Sequence, residues 1–194
     1  MSGQLPQGNF RNSEFELNPG TGGTPHEAAC DIALLCLASA LRKYGEPTWL
    51  RYFRAARRNI VGYYLARLWD VDQHFFRDDP GQVCFVPNKA ASLVEALFAL
   101  ADLSGEDIWV RRYAIPTLHA ILDHQVRQGE LRGAIYQNSF GTRKVEKFFP
   151  FYISRCLPAL LKGWEWTGDE RFAEAVFLAG QFILRWQEQQ GGFA

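Results

Sequence analysis

The sequence predicts an all-α chain built from three antiparallel helical hairpins. Apolar residues recur at three-and-four spacing through most of the 194 residues, and the alternation of a half-buried strand is absent. Three glycine-centred turns also recur at a near-constant interval: Tyr44-Gly45-Glu46, Ser104-Gly105-Glu106 and Thr167-Gly168-Asp169. An aromatic residue follows each glycine by four positions: Trp49, Trp109 and Phe172. A single amphipathic hairpin cannot bury its apolar face alone, so repeated hairpins must stack on one another.

Residues 1–23 are rich in Gly, Pro, Asn and Ser and are expected to be a loose N-terminal arm, with Phe10, Phe15 and Leu17 as apolar residues able to dock it. The repeat domain is expected over 24–194, with hairpins at about 24–70, 87–126 and 146–189. Thr24 reads as an N-cap, with Pro25 at the first helical position and Glu27 placed for a capping box. Cys30, Ala33, Leu34, Leu37, Leu41 and Tyr44 mark the first helix, and Gly45 stops it. Pro47 opens the second, which runs through Leu50, Phe53, Ile60, Tyr64 and Leu68 to about Trp69. Ala90, Leu93, Leu97 and Leu100 mark the third, and Ile108 to Val126 the fourth. Lys147 to Trp166 and Asp169 to Gln189 supply the fifth and sixth. Pro116 and Pro158 fall inside these patterns and are expected to bend them, because each removes an N–H donor.

Composition narrows the function classes. Lys and Arg total 21 against 21 Asp and Glu, so there is no basic field to attract nucleic acid. No apolar run approaches a membrane span or a secretory signal. Cys30, Cys36, Cys84 and Cys156 include no C-x-x-C pair and are expected to be buried thiols in a cytoplasmic protein. His26, His74, His119 and His124 show no metal-binding spacing, and no Gly-rich phosphate or dinucleotide loop is present. No metal and no cofactor is expected.

The second helix of each pair leads into a Gly-aromatic loop, best seen in Gly133-Ala134-Ile135 and Gly191-Gly192-Phe193. With its 60-residue period and the closing Gln187 to Phe193 (Q-x-x-x-G-G-F), the chain resembles the α/α-toroid superfamily. That group includes six-hairpin glycosidases, terpenoid cyclases and protein prenyltransferases. The resemblance implies half of an α/α toroid, with inner helices beginning near Pro25, Pro87 and Lys147 and outer ones near Pro47, Asp107 and Asp169. It also places a binding mouth at the N-terminal tips of the inner helices. Self-association is one way for three hairpins to complete such a ring.

The residues expected at that mouth are His74, Asn88, Lys89, Tyr136, Gln137, Asn138, Lys147, Tyr152 and Arg155. Amides and cations suit the hydroxyls and acid groups of a saccharide, and aromatic rings suit its apolar faces. Glycoside hydrolysis needs paired carboxylates, and the candidate acids are Asp70, Asp72, Glu95 and Glu146. Asp70-Val71-Asp72-Gln73 also resembles an incomplete D-x-D-D acid motif of protonating terpenoid cyclases. The leading expectation is therefore a glycosidase-like enzyme acting on a polar or acidic saccharide. A terpenoid cyclase or prenyltransferase relative acting on an isoprenoid, and a non-catalytic helical interaction module or inactive fragment, are the alternatives.

Overall fold

A computed structural model describes residues 4–10 and 24–187. Helices appear where the apolar periodicity puts them. In the first hairpin, a 3-10 turn (Pro25–Glu27) leads into α1 (Ala28–Lys43); α2 (Trp49–Asn59) then continues through a π turn (Ile60–Leu65). The second hairpin pairs α3 (Pro87–Ser104) with a π turn (Val110–Ala114) that feeds α4 (Ile115–Asp123). The third sets α5 (Pro150–Ser154) and α6 (Leu157–Thr167) against α7 (Glu170–Arg185). Gly45, Gly105 and Gly168 all adopt the left-handed conformation, with φ of 73°, 73° and 70°. The repeat is thus geometric as well as textual, since each first helix stops on the same αL glycine.

The hairpins stack side by side in two layers. α3 packs against α1 on one side and α6 on the other, while α2, α4 and α7 cover the outer side of their partners. This explains why α3 is apolar almost all round: Leu93, Leu97 and Leu100 are fully buried at the centre of the arc. Cation–π contacts stitch neighbouring hairpins together. The Arg57 guanidinium lies 5.9 Å from the Trp109 ring, and that of Arg111 lies 4.7 Å from the Trp166 ring.

Several local expectations are corrected. The Thr24 side chain makes no capping bond, and the first turn is a 3-10 turn instead of a capping box. The fifth helix does not begin at Lys147. It starts at Pro150 and is interrupted before Leu157, where Pro158 can occupy the first turn of a new helix and needs no N–H partner. Pro116 likewise sits at the start of α4, and the π turn just before it absorbs the change in hydrogen-bond register. Cys84 and Cys156 are buried as expected, but Cys30 and Cys36 are exposed on α1. Short strands also occur: β1 (Trp69–Asp70) pairs with β2 (Phe75–Phe76), and β3 (Cys84–Phe85), β4 (Ser139–Phe140) and β5 (Arg143–Lys144) form a small antiparallel sheet. Two-residue strands are too short to leave an alternating pattern in sequence.

The arm is not loose over residues 4–10. Gln4 Nε2 donates to the Ala55 carbonyl at 2.9 Å, and the Arg58 guanidinium donates to that of Pro6 at 2.7 Å, which lays this stretch along α2. Phe15, Leu17 and the Gly191-Gly192-Phe193 motif lie outside the described residues.

One buried polar cluster joins α1 to α2. Asn59 Nδ2 donates to Asp31 Oδ2 at 2.7 Å, while Asp31 Oδ1, Asn59 Oδ1 and the Tyr64 hydroxyl have no partner. Burial pushes the Asp31 carboxyl up to about 8, against the opposing bond from Asn59. A neutral acid adds a donor, beside the Tyr64 hydroxyl, to a cluster in which the Asn59 oxygen and an ionised carboxylate could only accept. Because the folded value lies above the unfolded one, the folded chain holds an extra proton between the usual carboxylate range and pH 8. Stability should therefore fall with rising pH across that window, by up to about 1.4 kcal/mol per unit. Asp31→Asn, which mimics the protonated side chain, should flatten this slope and be the more stable protein at pH 8. Urea unfolding of both chains at pH 5 and pH 8 measures the difference.

Candidate functional site

α3, the middle inner helix, carries a polar line through its apolar surface. Asn88, Ser92, Glu95, Ala99 and Asp102 recur at three-and-four spacing and therefore share one side of it. Asn88 and Ser92 are buried, Glu95 and Ala99 are half-buried and Asp102 is exposed, so this side opens toward the C-terminal end of the helix. Next to it stands the α5–α6 segment. Arg155 lies in the break between those two helices, and its guanidinium donates to Ser92 Oγ at 3.3 Å. Beyond it, Lys162 projects from α6, and with Asp102, Phe98, Glu165 and Trp166 it lines a depression of about 160 Å³.

At the other end of the stripe, the N-terminal tips of α3 and α5 meet the loop that follows α4. Pro87 and Pro150 begin their helices in the first turn, where their missing N–H groups cost nothing. Asn88, Tyr136, Gln137, Phe149 and Tyr152 converge here around a cleft of about 10 Å³, room for one water. Asn88 is only 8% exposed, yet its amide borders this cleft. The Phe149 and Tyr152 rings pack edge to face at 5.2 Å, and both remain partly open to solvent. This gives an aromatic wall beside two amides.

Glu95 is the acid placed between these two ends. It is half-buried, and Oε1 has no hydrogen-bond partner. Burial raises its carboxyl above the ordinary value, and Arg155 and Lys162 pull it partway back. A carboxyl whose proton affinity burial raises and neighbouring cations lower has the kind of tuning that acid–base groups use.

The remaining candidates are dispersed. Asp70 is not placed as a free acid. Its Oδ1 accepts from the Asp72 and Gln73 amides at 3.0 Å each, and its Oδ2 accepts from Arg77 at 2.8 Å. Burial works to raise this carboxyl, but those donors outweigh it and hold it below the usual carboxylate range. Asp72 and His74 are exposed on the same loop, where His74 takes φ 56° and its ring stands edge-on to Trp69 at 6.3 Å. Lys89 is paired with Asp78 at 2.9 Å. Asn138 reaches Cys84 in the small sheet. Glu146 and Lys147 are exposed, and Lys147 meets the cleft only through its carbonyl, which accepts from the Gln137 amide. Of the predicted set, Asn88, Tyr136, Gln137 and Tyr152 gather at the cleft, and Glu95 and Arg155 gather on the stripe below it.

Sequence reasoning missed Ser92, Asp102, Lys162 and Glu165. The spacing 88-92-95-99-102 was available as a polar line through an apolar helix, but only packing shows which face of α3 stays open. His124 was missed as a structural residue. Burial holds its ring below the ordinary histidine value, with the nearby Lys144 acting the same way against the Ala120 carbonyl. A neutral ring then donates from Nδ1 to the Ala120 carbonyl at 2.8 Å and accepts at Nε2 from the Ser139 hydroxyl at 2.9 Å. Both side chains are buried, so this pair fastens α4 to the small sheet and is not an accessible nucleophile.

No protein-family model and no curated protein sequence matches the chain. Solved structures do share its fold. A sugar epimerase from a ruminal bacterium superposes with a TM-score of 0.68 at 13% identity, over 88% of this chain and 44% of its own. Cellobiose 2-epimerase from Bacillus thermoamylovorans B4167 gives 0.68 at 12% identity, over 94% of this chain and 48% of its own. The chain thus spans a little under half the length of each. Its three hairpins are half of an α/α toroid.

Proposed function

From this half-toroid fold, we propose that the concave face binds a polar or acidic saccharide and that Glu95 is its proton-transfer group. The observation that carries the reading is the shared helix face. Asn88, which borders a cleft with Gln137 and an aromatic wall, lies two turns before Glu95 on one side of α3, and burial raises the Glu95 carboxyl while Arg155 and Lys162 lower it. Rings pack on the apolar faces of a pyranose, amides bond its hydroxyls, and the two cations favour a carboxylate or sulfate substituent. The fold likeness to sugar epimerases supports the same ligand class.

The chemistry of the face favours a single acid–base residue over a glycosidase pair. Glu95 feels two cations and no neighbouring carboxylate, so the second acid of a hydrolase would have to come from across the ring. Proton transfer at a carbon beside a carbonyl needs only one such group on a given side of the sugar. The isoprenoid alternative is disfavoured for a related reason. A lumen carrying Glu95, Asp102, Arg155 and Lys162 is charged, whereas a hydrocarbon substrate calls for an apolar one.

Calorimetric titration tests the ligand class. A uronic-acid oligosaccharide should bind at least tenfold more tightly than its neutral counterpart, about 1.4 kcal/mol. Arg155→Met should remove that preference, and Tyr152→Ala should weaken both ligands. Failure of both oligosaccharides to bind the folded wild-type chain would defeat the proposal.

A further inference from the structure

We propose that two copies of this chain close head to tail into one six-hairpin ring, the last hairpin of each docking on the first hairpin of the other. The inference rests on the half-toroid fold and not on the saccharide reading, so either can fail without the other.

The tail of the arc exposes apolar side chains that no described residue covers. One side of α7, formed by Phe172, Ala175, Ala179 and Phe182, is buried against its own hairpin and the one before. The opposite side carries Glu170, Glu174, Phe177 and Leu184, which share a face by their spacing. Phe177 is 63% exposed and Leu184 67%, with Leu161 and Trp164 of α6 also exposed beside them. Four large apolar side chains left open on the last hairpin, two of them more than 60% exposed on one helix face, mark an interaction surface.

The head offers the complementary shape. An open groove of about 1100 Å³ runs along the first hairpin, between Gln4 and Phe10 of the N-terminal arm and Leu34 of α1 with Leu50 and Ala55 of α2. Arg51 and Arg54 stand on its rim and belong to no ion pair among the described residues. α2 carries four arginines and no acid over Trp49–Asn59, whereas the exposed side of α7 presents Glu170 and Glu174. The charges agree in level as well as sign. Outer helices of successive hairpins run in the same direction, and both the arginines and the glutamates occupy the first two turns of their helices. An apolar ridge with an acidic base thus meets an apolar groove with a basic rim.

Closure follows from the arc. Three hairpins span half of a circle, as the twofold greater length of the matched solved chains indicates. A head-to-tail contact turning half a circle per copy closes after two copies, leaving no free edge. The second copy's Asn88, Glu95 and Arg155 would then stand across the ring, converting an open groove into a chamber and supplying a second carboxylate.

Light scattering on the chromatographed full chain tests this. The wild type should have twice the 22.1 kDa chain mass. R51E/R54E and E170R/E174R should each be monomeric, as should F177D; all alter exposed side chains, and circular dichroism should show unchanged helicity and cooperative melting. An equal mixture of R51E/R54E with E170R/E174R should recover the dimer, because each reversed head then meets a reversed tail while the other junction is native. A wild-type monomer, an open ladder of oligomers, a dimer that survives R51E/R54E, or a mixture that stays monomeric would each overturn the proposal. A monomeric result would assign the two faces to another occupant, such as further hairpins of a longer chain.

Discussion

Gly133→Ala should unfold at much lower urea than the wild type, losing more than about 3 kcal/mol of stability. Gly133 sits at φ 95°, and a Cβ built there would lie 2.0 Å from the Leu178 carbonyl oxygen and 2.6 Å from its carbon. The obstruction is backbone, so no side-chain rotation can relieve it. The loop after α4 is pressed against α7 at this point, and two further contacts hold it there. Gln125 Nε2 donates to the Gly133 and Ala175 carbonyls, and Arg185 donates to that of Arg132. Separating the two surfaces would therefore loosen the last two hairpins from each other. Gly129→Ala is the matched control. Its φ of 76° imposes the same left-handed strain, but nothing lies within 4 Å of the new methyl, so it should cost only about 1–2 kcal/mol. Equal losses in the two variants would show that strain alone, and not the close approach, governs this junction.

Glu95→Gln is expected to abolish turnover while preserving the ligand. With a reducing disaccharide assayed for epimerisation and an aryl glycoside assayed for hydrolysis, kcat should fall by about 10²- to 10⁴-fold. Binding of the same saccharide should change only a few-fold, because the amide retains the shape and an acceptor oxygen. The pH profile gives an independent check. Burial raises the Glu95 carboxyl, so the wild-type acid limb of kcat/KM should lie above the ordinary carboxylate range. Arg155→Met should move that limb further up, since Arg155 is the larger of the two influences that lower the value. Full activity in Glu95→Gln would remove the residue from the chemistry. Absence of turnover in the wild type would leave a saccharide-binding module.

Much of the architecture was legible before any coordinates. The glycines at 45, 105 and 168 end their helices in one conformation, and the inner and outer assignments follow from the order of elements. Local irregularities were not legible. The capping box at Thr24 fails, and the π turns before Ala66 and Ile115 leave no mark in the apolar spacing. The cleft was legible in part. Asn88, Tyr136, Gln137 and Tyr152 meet there because two lie in the first turns of α3 and α5 and two in the loop that reaches those tips. Asp70 was misleading, since an aspartate that organises its own turn looks the same in sequence as one that donates a proton. Ser92, Asp102 and Lys162 were hidden inside apolar helices, where periodicity alone does not say which face stays open.

The sequence by itself determined that this chain is helical, that it repeats, and roughly where each hairpin turns, because those properties depend on neighbours within a few residues. Tertiary structure decided which carboxylates are engaged, which thiols are exposed, and which line of α3 stays open. Those properties depend on contacts between residues dozens of positions apart, as when Arg155 reaches Ser92 and Gly133 meets the backbone of α7. A carboxyl's readiness to hold a proton depends on the burial and charges around it, and only the packed hairpins create those.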